Sequence, residues 1–95
     1  MVTLRNSARD KNSYAAALTA MNEAKFNLAA RQLEVLVARD RANAKAYYTL
    51  AVAYIRGTPP VLDKALACRD KAAGLGYTIP DWFDNYYRIL TAKKK

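Results

Sequence analysis

Apolar residues recur along this chain at spacings of three and four, the pattern of helices with one buried face, and it predicts an all-α domain of five helices. Tyr14, Leu18 and Met21, with Ala17 beside them, mark a first helix over about 8–22, capped by Ser7 or Ser13. A short polar break at 22–25 suits a tight turn. A second helix follows over about 25–40, with Phe26, Ala29, Ala30, Leu33, Leu36 and Val37 on its apolar face. The third, about 44–56, carries Tyr47, Leu50, Ala51 and Tyr54, and Gly57 is a natural stop. Thr58-Pro59-Pro60 reads as a hydroxyl cap and proline-led start for a fourth helix over about 59–73, ended by Gly74 and Gly76. Pro80-Asp81 opens a fifth, about 80–92, with acid in its first turn where the helix dipole favours it.

The third helix sets the organisation of the rest. Its stripe places a deliberately small residue, Ala51, between Leu50 and Tyr54, which makes sense only if a second helix crosses closely there. Self-similarity extends this. Ala29-x3-Leu33 aligns with Ala65-x3-Arg69 at an offset of 36, and a step of eighteen carries Ala29 to Tyr47 and Ala65 to Phe83. Two helix pairs and a further opening helix therefore share one register: pairs over 8–42 and 43–79, and a last helix over 80–92.

That register resembles the tetratricopeptide repeat (TPR) family, whose signature runs aromatic-x2-L-G-x2-Y, then A-x3-F, then P, over about 34 residues. Tyr47, Leu50, Ala51 and Tyr54 match its first helix with alanine for glycine, and Ala65 and Ala72 match its second. Arg69 stands where a large apolar residue is usual, and the Gly57–Pro60 turn makes this unit about two residues longer. The earlier unit places Ala16, Ala17 and Ala20 in its first helix and Phe26, Ala29 and Leu33 in its second. The resemblance spans about 11–90 and implies antiparallel helix-turn-helix hairpins stacked as a short right-handed superhelix. Tyr87, bulky at the small position, marks the last helix as a cap on that array.

Ninety-five residues form one small domain, burying roughly 60–65% of its unfolded surface. With 53% hydrophobic and 25% charged residues it is globular in composition. A formal net charge of +8 favours acidic partners, but the bases are spread, and only Lys93–Lys95 form a run, which reads as a solvated tail. The opening residues, expected to fray over 1–7, contain no apolar leader, and no stretch reaches membrane-spanning length; a cytoplasmic protein without a membrane span is expected.

The absence of histidine removes Ser-His and Cys-His nucleophilic arrangements, and one cysteine, Cys68, supplies neither a disulfide nor a zinc set. The three glycines all read as helix ends rather than a phosphate cradle. Asp81 and Asp84 could sit side by side but read as dipole partners, and Cys68 as a small packed hydrophobe. No catalytic, cofactor or metal residues are assigned. Aromatics on a basic chain could stack single-stranded nucleic acid. Phe26, Tyr47, Tyr54 and Phe83, however, fall at core positions of the repeat, whereas Tyr14, Tyr48, Tyr77 and Trp82 do not.

The resemblance implies a concave groove lined by the first helix of each unit and holding a peptide or protein segment. Carried onto this sequence, the groove faces are Lys11, Tyr14, Leu18, Met21 and Asn22, then Lys45, Tyr48, Val52, Ile55 and Arg56, with Asp84 and Arg88 on the last helix. Tyr48, Val52 and Ile55 form a second apolar stripe beside the core stripe, which either binds a ligand or packs between neighbouring helices. With Lys11, Lys45, Arg56 and Arg88 around it, the groove suits an amphipathic segment carrying acids. The lysine and asparagine with which some TPR proteins clamp a C-terminal carboxylate are replaced here by Tyr14 and Leu18. The expected function is a non-enzymatic protein-binding module or scaffold. Homo-oligomerisation through the groove or the aromatic last helix is the first alternative, and nucleic-acid binding the second.

Overall fold

The computed structural model describes residues 13–92, and among them the chain is all-helical. Helices α1 (Tyr14–Asn22), α2 (Phe26–Arg39), α3 (Ala44–Arg56), α4 (Leu62–Gly74) and α5 (Asp81–Ala92) follow one another through short turns. The expected helical residues 8–12, the frayed start, Lys11 and the lysine tail lie outside the described residues. None of the described helices is long and apolar enough to cross a membrane.

Local chemistry fixes most boundaries. Ser13 Oγ accepts the Ala16 N–H at 3.1 Å, so α1 begins at Tyr14. Asn43 Oδ1 accepts the Ala46 N–H at 3.0 Å and starts α3, while Asn43 Nδ2 donates to Asp40 Oδ2 at 3.1 Å. The start of α4 departs from expectation. It begins at Leu62, and Thr58 caps nothing, because Thr58 and Pro59 each precede a proline and are disfavoured in helical conformation. The segment is pinned instead by the Val61 N–H donating to the Tyr54 carbonyl at 3.0 Å and by Asn27 Nδ2 donating to the Thr58 carbonyl at 3.3 Å. Gly57 does end α3, through closeness rather than handedness: a Cβ there would stand 2.7 Å from Asn27 Oδ1 and 3.1 Å from the Ala53 carbonyl oxygen.

Helices α1 and α4 close with the same pair of hydrogen bonds. After α4, the Tyr77 N–H donates to Ala72 O and the Gly76 N–H to Ala73 O, with Gly76 at φ +100°. After α1, the Lys25 N–H donates to Ala20 O and the Ala24 N–H to Met21 O, but the left-handed position is held by an alanine, Ala24, at φ 60°. An L-residue pays about 1–2 kcal/mol there. Ala24→Gly is therefore expected to stabilise the fold by about 0.5–1 kcal/mol net of the extra chain entropy it adds to the unfolded state. Thermal melting should rise by about 3–6 °C. An unchanged or lower melting temperature would contradict this account of the turn.

Neighbouring helices pack in order, α1 on α2, α2 on α3 and α3 on α4. The core is built largely of small residues: Ala17, Ala29, Ala51 and Ala65 are all fully buried, which lets helix axes approach closely. Ala51, the small position noted in the sequence, is thus buried in the core. Helix α3 is the hub, with every residue from Thr49 to Ile55 buried. Two residues assigned to the core are only half-buried. Tyr47 has the Lys71 ammonium 5.8 Å from its ring centroid, and Phe26 has the Arg56 guanidinium at 5.4 Å, so each ring carries a cation over its face. Phe83, by contrast, is fully buried and anchors α5.

Arg69, the residue that breaks the apolar pattern of α4, fastens α5 as well. Its Nε donates to Asp84 Oδ1 at 3.0 Å and its Nη2 to Asp84 Oδ2 at 2.8 Å, a two-pronged pair. These bonds hold the Asp84 carboxyl below its ordinary pKa. Asp84, assigned to the groove face from the sequence, is spent on this pair.

Candidate functional site: an aromatic cleft between α1, α3 and the start of α5

A cleft of about 400 Å³ opens between α1, α3, the α4–α5 turn and the first turn of α5. Its walls are Tyr14, Leu18 and Met21 from α1, and Lys45, Tyr48, Thr49 and Val52 from α3. Tyr77 and Trp82 close the far side. The stripes on α1 and α3 face the same space because each repeats at three or four residues, one helical turn.

Hydrogen bonds and ring contacts fix the walls. Thr49 Oγ1 donates its only proton to the Lys45 carbonyl at 2.9 Å, so in the 3.0 Å contact between Tyr14 Oη and Thr49 Oγ1 the tyrosine is the donor. That bond ties α1 to α3 across the cleft floor. Lys45 Nζ lies 5.8 Å from the Tyr14 ring centroid, which places one cation at the mouth. The Tyr48 and Tyr77 rings stack at 4.8 Å and 23°. Trp82 meets Phe83 edge-on at 5.8 Å, and Phe83 lies 6.2 Å from Tyr48, so the aromatic wall is continuous with the buried anchor of α5. Burial, and next the neighbouring Tyr77, raises the Tyr48 pKa above its ordinary value, keeping its hydroxyl neutral.

Of the residues assigned to the groove from the sequence, Tyr14, Leu18, Met21, Lys45, Tyr48 and Val52 come together here. Ile55 does not. It is fully buried, because α3 is covered by α2 on one side and α4 on the other, and toward its C-terminal end the second stripe passes from cleft to core. Asn22, Arg56 and Arg88 are exposed but do not line the cleft; Arg56 is drawn to Phe26, and Arg88 lies six residues beyond Trp82 on α5. Lys11 lies outside the described residues. Thr49, Tyr77 and Trp82 line the cleft although they were not assigned to it. For the two aromatics the signal was present, since neither fits a core position of the repeat.

No family model matches this chain, nor does any curated protein or solved structure. The cleft therefore has to be read from its own chemistry. It offers aromatic and aliphatic walls, tyrosine hydroxyls and a single ammonium at the rim, a combination that suits recognition of a partly apolar, partly acidic ligand.

Cys68, on α4, is half-buried, and burial followed by the charge of Glu34 pushes its thiol up to about 11. Tyr54, which donates a hydrogen bond to Glu34, is raised in the same way. Alkylation of Cys68 by iodoacetamide at pH 8 is expected to run on the order of a hundredfold slower in the folded chain than in urea, since only about one thiol in a thousand is ionised. Equal rates in both states would refute this burial. Because both groups hold their protons more tightly when folded, the stability they contribute is intact below pH about 9, the ordinary thiol value, and declines as pH rises through 11.

Proposed function

We propose that this chain is a TPR-like, non-enzymatic protein-interaction module that holds a peptide segment in the α1–α3–α5 cleft. The observation that carries the reading is the cleft itself: nine residues from three helices and one turn line a single space with aromatic walls and Lys45 at its mouth. Its size suits a few side chains of a larger ligand, in the way a groove takes anchor residues spaced along a segment. The buried alanines at the repeat register, Ala17, Ala29, Ala51 and Ala65, support the TPR reading.

The distribution of cations supports a protein ligand over a phosphate backbone. Arg69 is bound to Asp84, and Arg56, Lys64 and Lys71, which lie over the rings of Phe26, Tyr54 and Tyr47, do not line the cleft, so Lys45 is the one cation among its lining residues. The ligand is then an amphipathic segment that sets aromatic or aliphatic residues against Tyr48, Tyr77 and Val52 and a carboxylate against Lys45.

Selection from a displayed library of random 12-residue peptides tests this. Enriched sequences are expected to combine apolar anchors with Asp or Glu, and Leu18→Glu/Lys45→Glu is expected to lose them by at least about tenfold in affinity while melting within a few degrees of wild type. Undiminished binding by that variant would place the ligand elsewhere. Enrichment of oligonucleotides in a parallel selection, with a steep salt dependence, would favour the nucleic-acid reading.

A further inference from the structure

Helix α5 has two apolar stripes, and the core uses one. Phe83, Tyr87 and Leu90 pack inward. Trp82, Tyr86 and Ile89, at i, i+4 and i+7, form a second stripe that is 41%, 36% and 55% exposed, with the Trp82 and Tyr86 rings 6.4 Å apart. We propose that this outer face of α5 is a dimerisation surface occupied by a second copy of the chain, α5 antiparallel to α5 about a two-fold axis near Asn85.

The charges choose the occupant and its direction. Asp81 and Arg88 are both exposed and lie two turns apart on the same flank of the stripe, and the one carboxylate that Arg88 acts on within the chain, Asp84, is already held by Arg69. Turning a second α5 end for end about Asn85 sets Trp82 against Ile89 of the second copy, brings the two Tyr86 rings together at the centre, and places Asp81 opposite Arg88 of the second copy. One surface thus supplies both halves of its own complement, as a two-fold interface requires. A parallel two-fold pairing would set this charged flank against the opposite flank of the second copy, so Asp81 and Arg88 would not meet each other. Antiparallel packing also sets opposite ends of the two helix dipoles together. A helix of 12 residues is about 18 Å long, so the contact is small and the dimer weak.

Sedimentation equilibrium of the 95-residue chain from about 10 μM to 1 mM tests the proposal. A monomer–dimer equilibrium is expected. Ile89→Asp, at an exposed position, should weaken it at least about tenfold, and Arg88→Glu about threefold, whereas Asp81→Lys/Arg88→Glu should return within about twofold of wild type. Circular dichroism of each variant confirms that helicity is retained. A chain that stays monomeric at 1 mM overturns the proposal, as does a dimer indifferent to Ile89→Asp. A folded double variant that fails to recover overturns the antiparallel register and with it the proposal. Peptide capture by the cleft should be unchanged in Ile89→Asp, so the two readings fail separately.

Discussion

Ile55→Asp is expected to leave the chain largely unfolded in water at 25 °C. The side chain is fully buried, so the substitution removes an aliphatic group from the core and places a carboxylate there without a partner. An uncompensated charge of this kind costs about 3–5 kcal/mol and the lost aliphatic group about 2–5 kcal/mol more, together comparable with the roughly 5–15 kcal/mol that holds a domain of this size together. Ile55→Val, which keeps the shape of the site, should cost only about 0.5–1.5 kcal/mol. Urea denaturation followed by circular dichroism separates these outcomes. If Ile55→Asp melted close to wild type, Ile55 would face the cleft after all, and the boundary drawn between cleft and core on α3 would be wrong.

The second large effect belongs to Phe83. Its ring is fully buried, reaches Tyr48 at 6.2 Å and Trp82 at 5.8 Å, and is the principal apolar anchor of α5. Phe83→Ala should cost about 3–5 kcal/mol. The loss is expected to be local first, because α5 packs less extensively than the α2–α3–α4 assembly. Amide exchange in α5 should then accelerate to nearly unfolded rates while α2 and α3 remain protected. The Arg69–Asp84 pair cannot replace the ring, since both side chains are partly exposed and such a pair contributes only about 1 kcal/mol. Slow exchange retained throughout α5 in Phe83→Ala would show that another contact holds it. Peptide capture should fall with α5, because Trp82 leaves the cleft wall.

These two residues also show what the sequence can disclose. The bounds of α3 were legible to the residue because Asn43 caps it and Gly57 closes it, and the place of Phe83 followed from the eighteen-residue step. Ile55 was not legible. Helical periodicity fixes the angle at which a side chain leaves its helix, and Ile55 leaves at nearly the same angle as Tyr48, but only the neighbours decide which part of that stripe they cover. The start of α4 was misread for a local reason, since two successive prolines restrain the residues before them more strongly than a threonine can cap. Arg69 and Asp84 sit fifteen residues apart on different helices, so no spacing rule joins them. Tyr77 reaches the cleft through the turn at Gly76, whose φ of +100° directs the chain back toward Tyr48.

Trp82, the chain's single tryptophan, lies in the cleft wall and reports on the cleft directly. The decisive measurement is a titration of a selected acidic peptide into the 95-residue chain with Trp82 fluorescence as the readout. A saturable change in emission that is lost in Leu18→Glu/Lys45→Glu, with that variant still folded, is the predicted result. Binding seen by calorimetry with Trp82 emission unmoved, or an equal response in the variant, would contradict it.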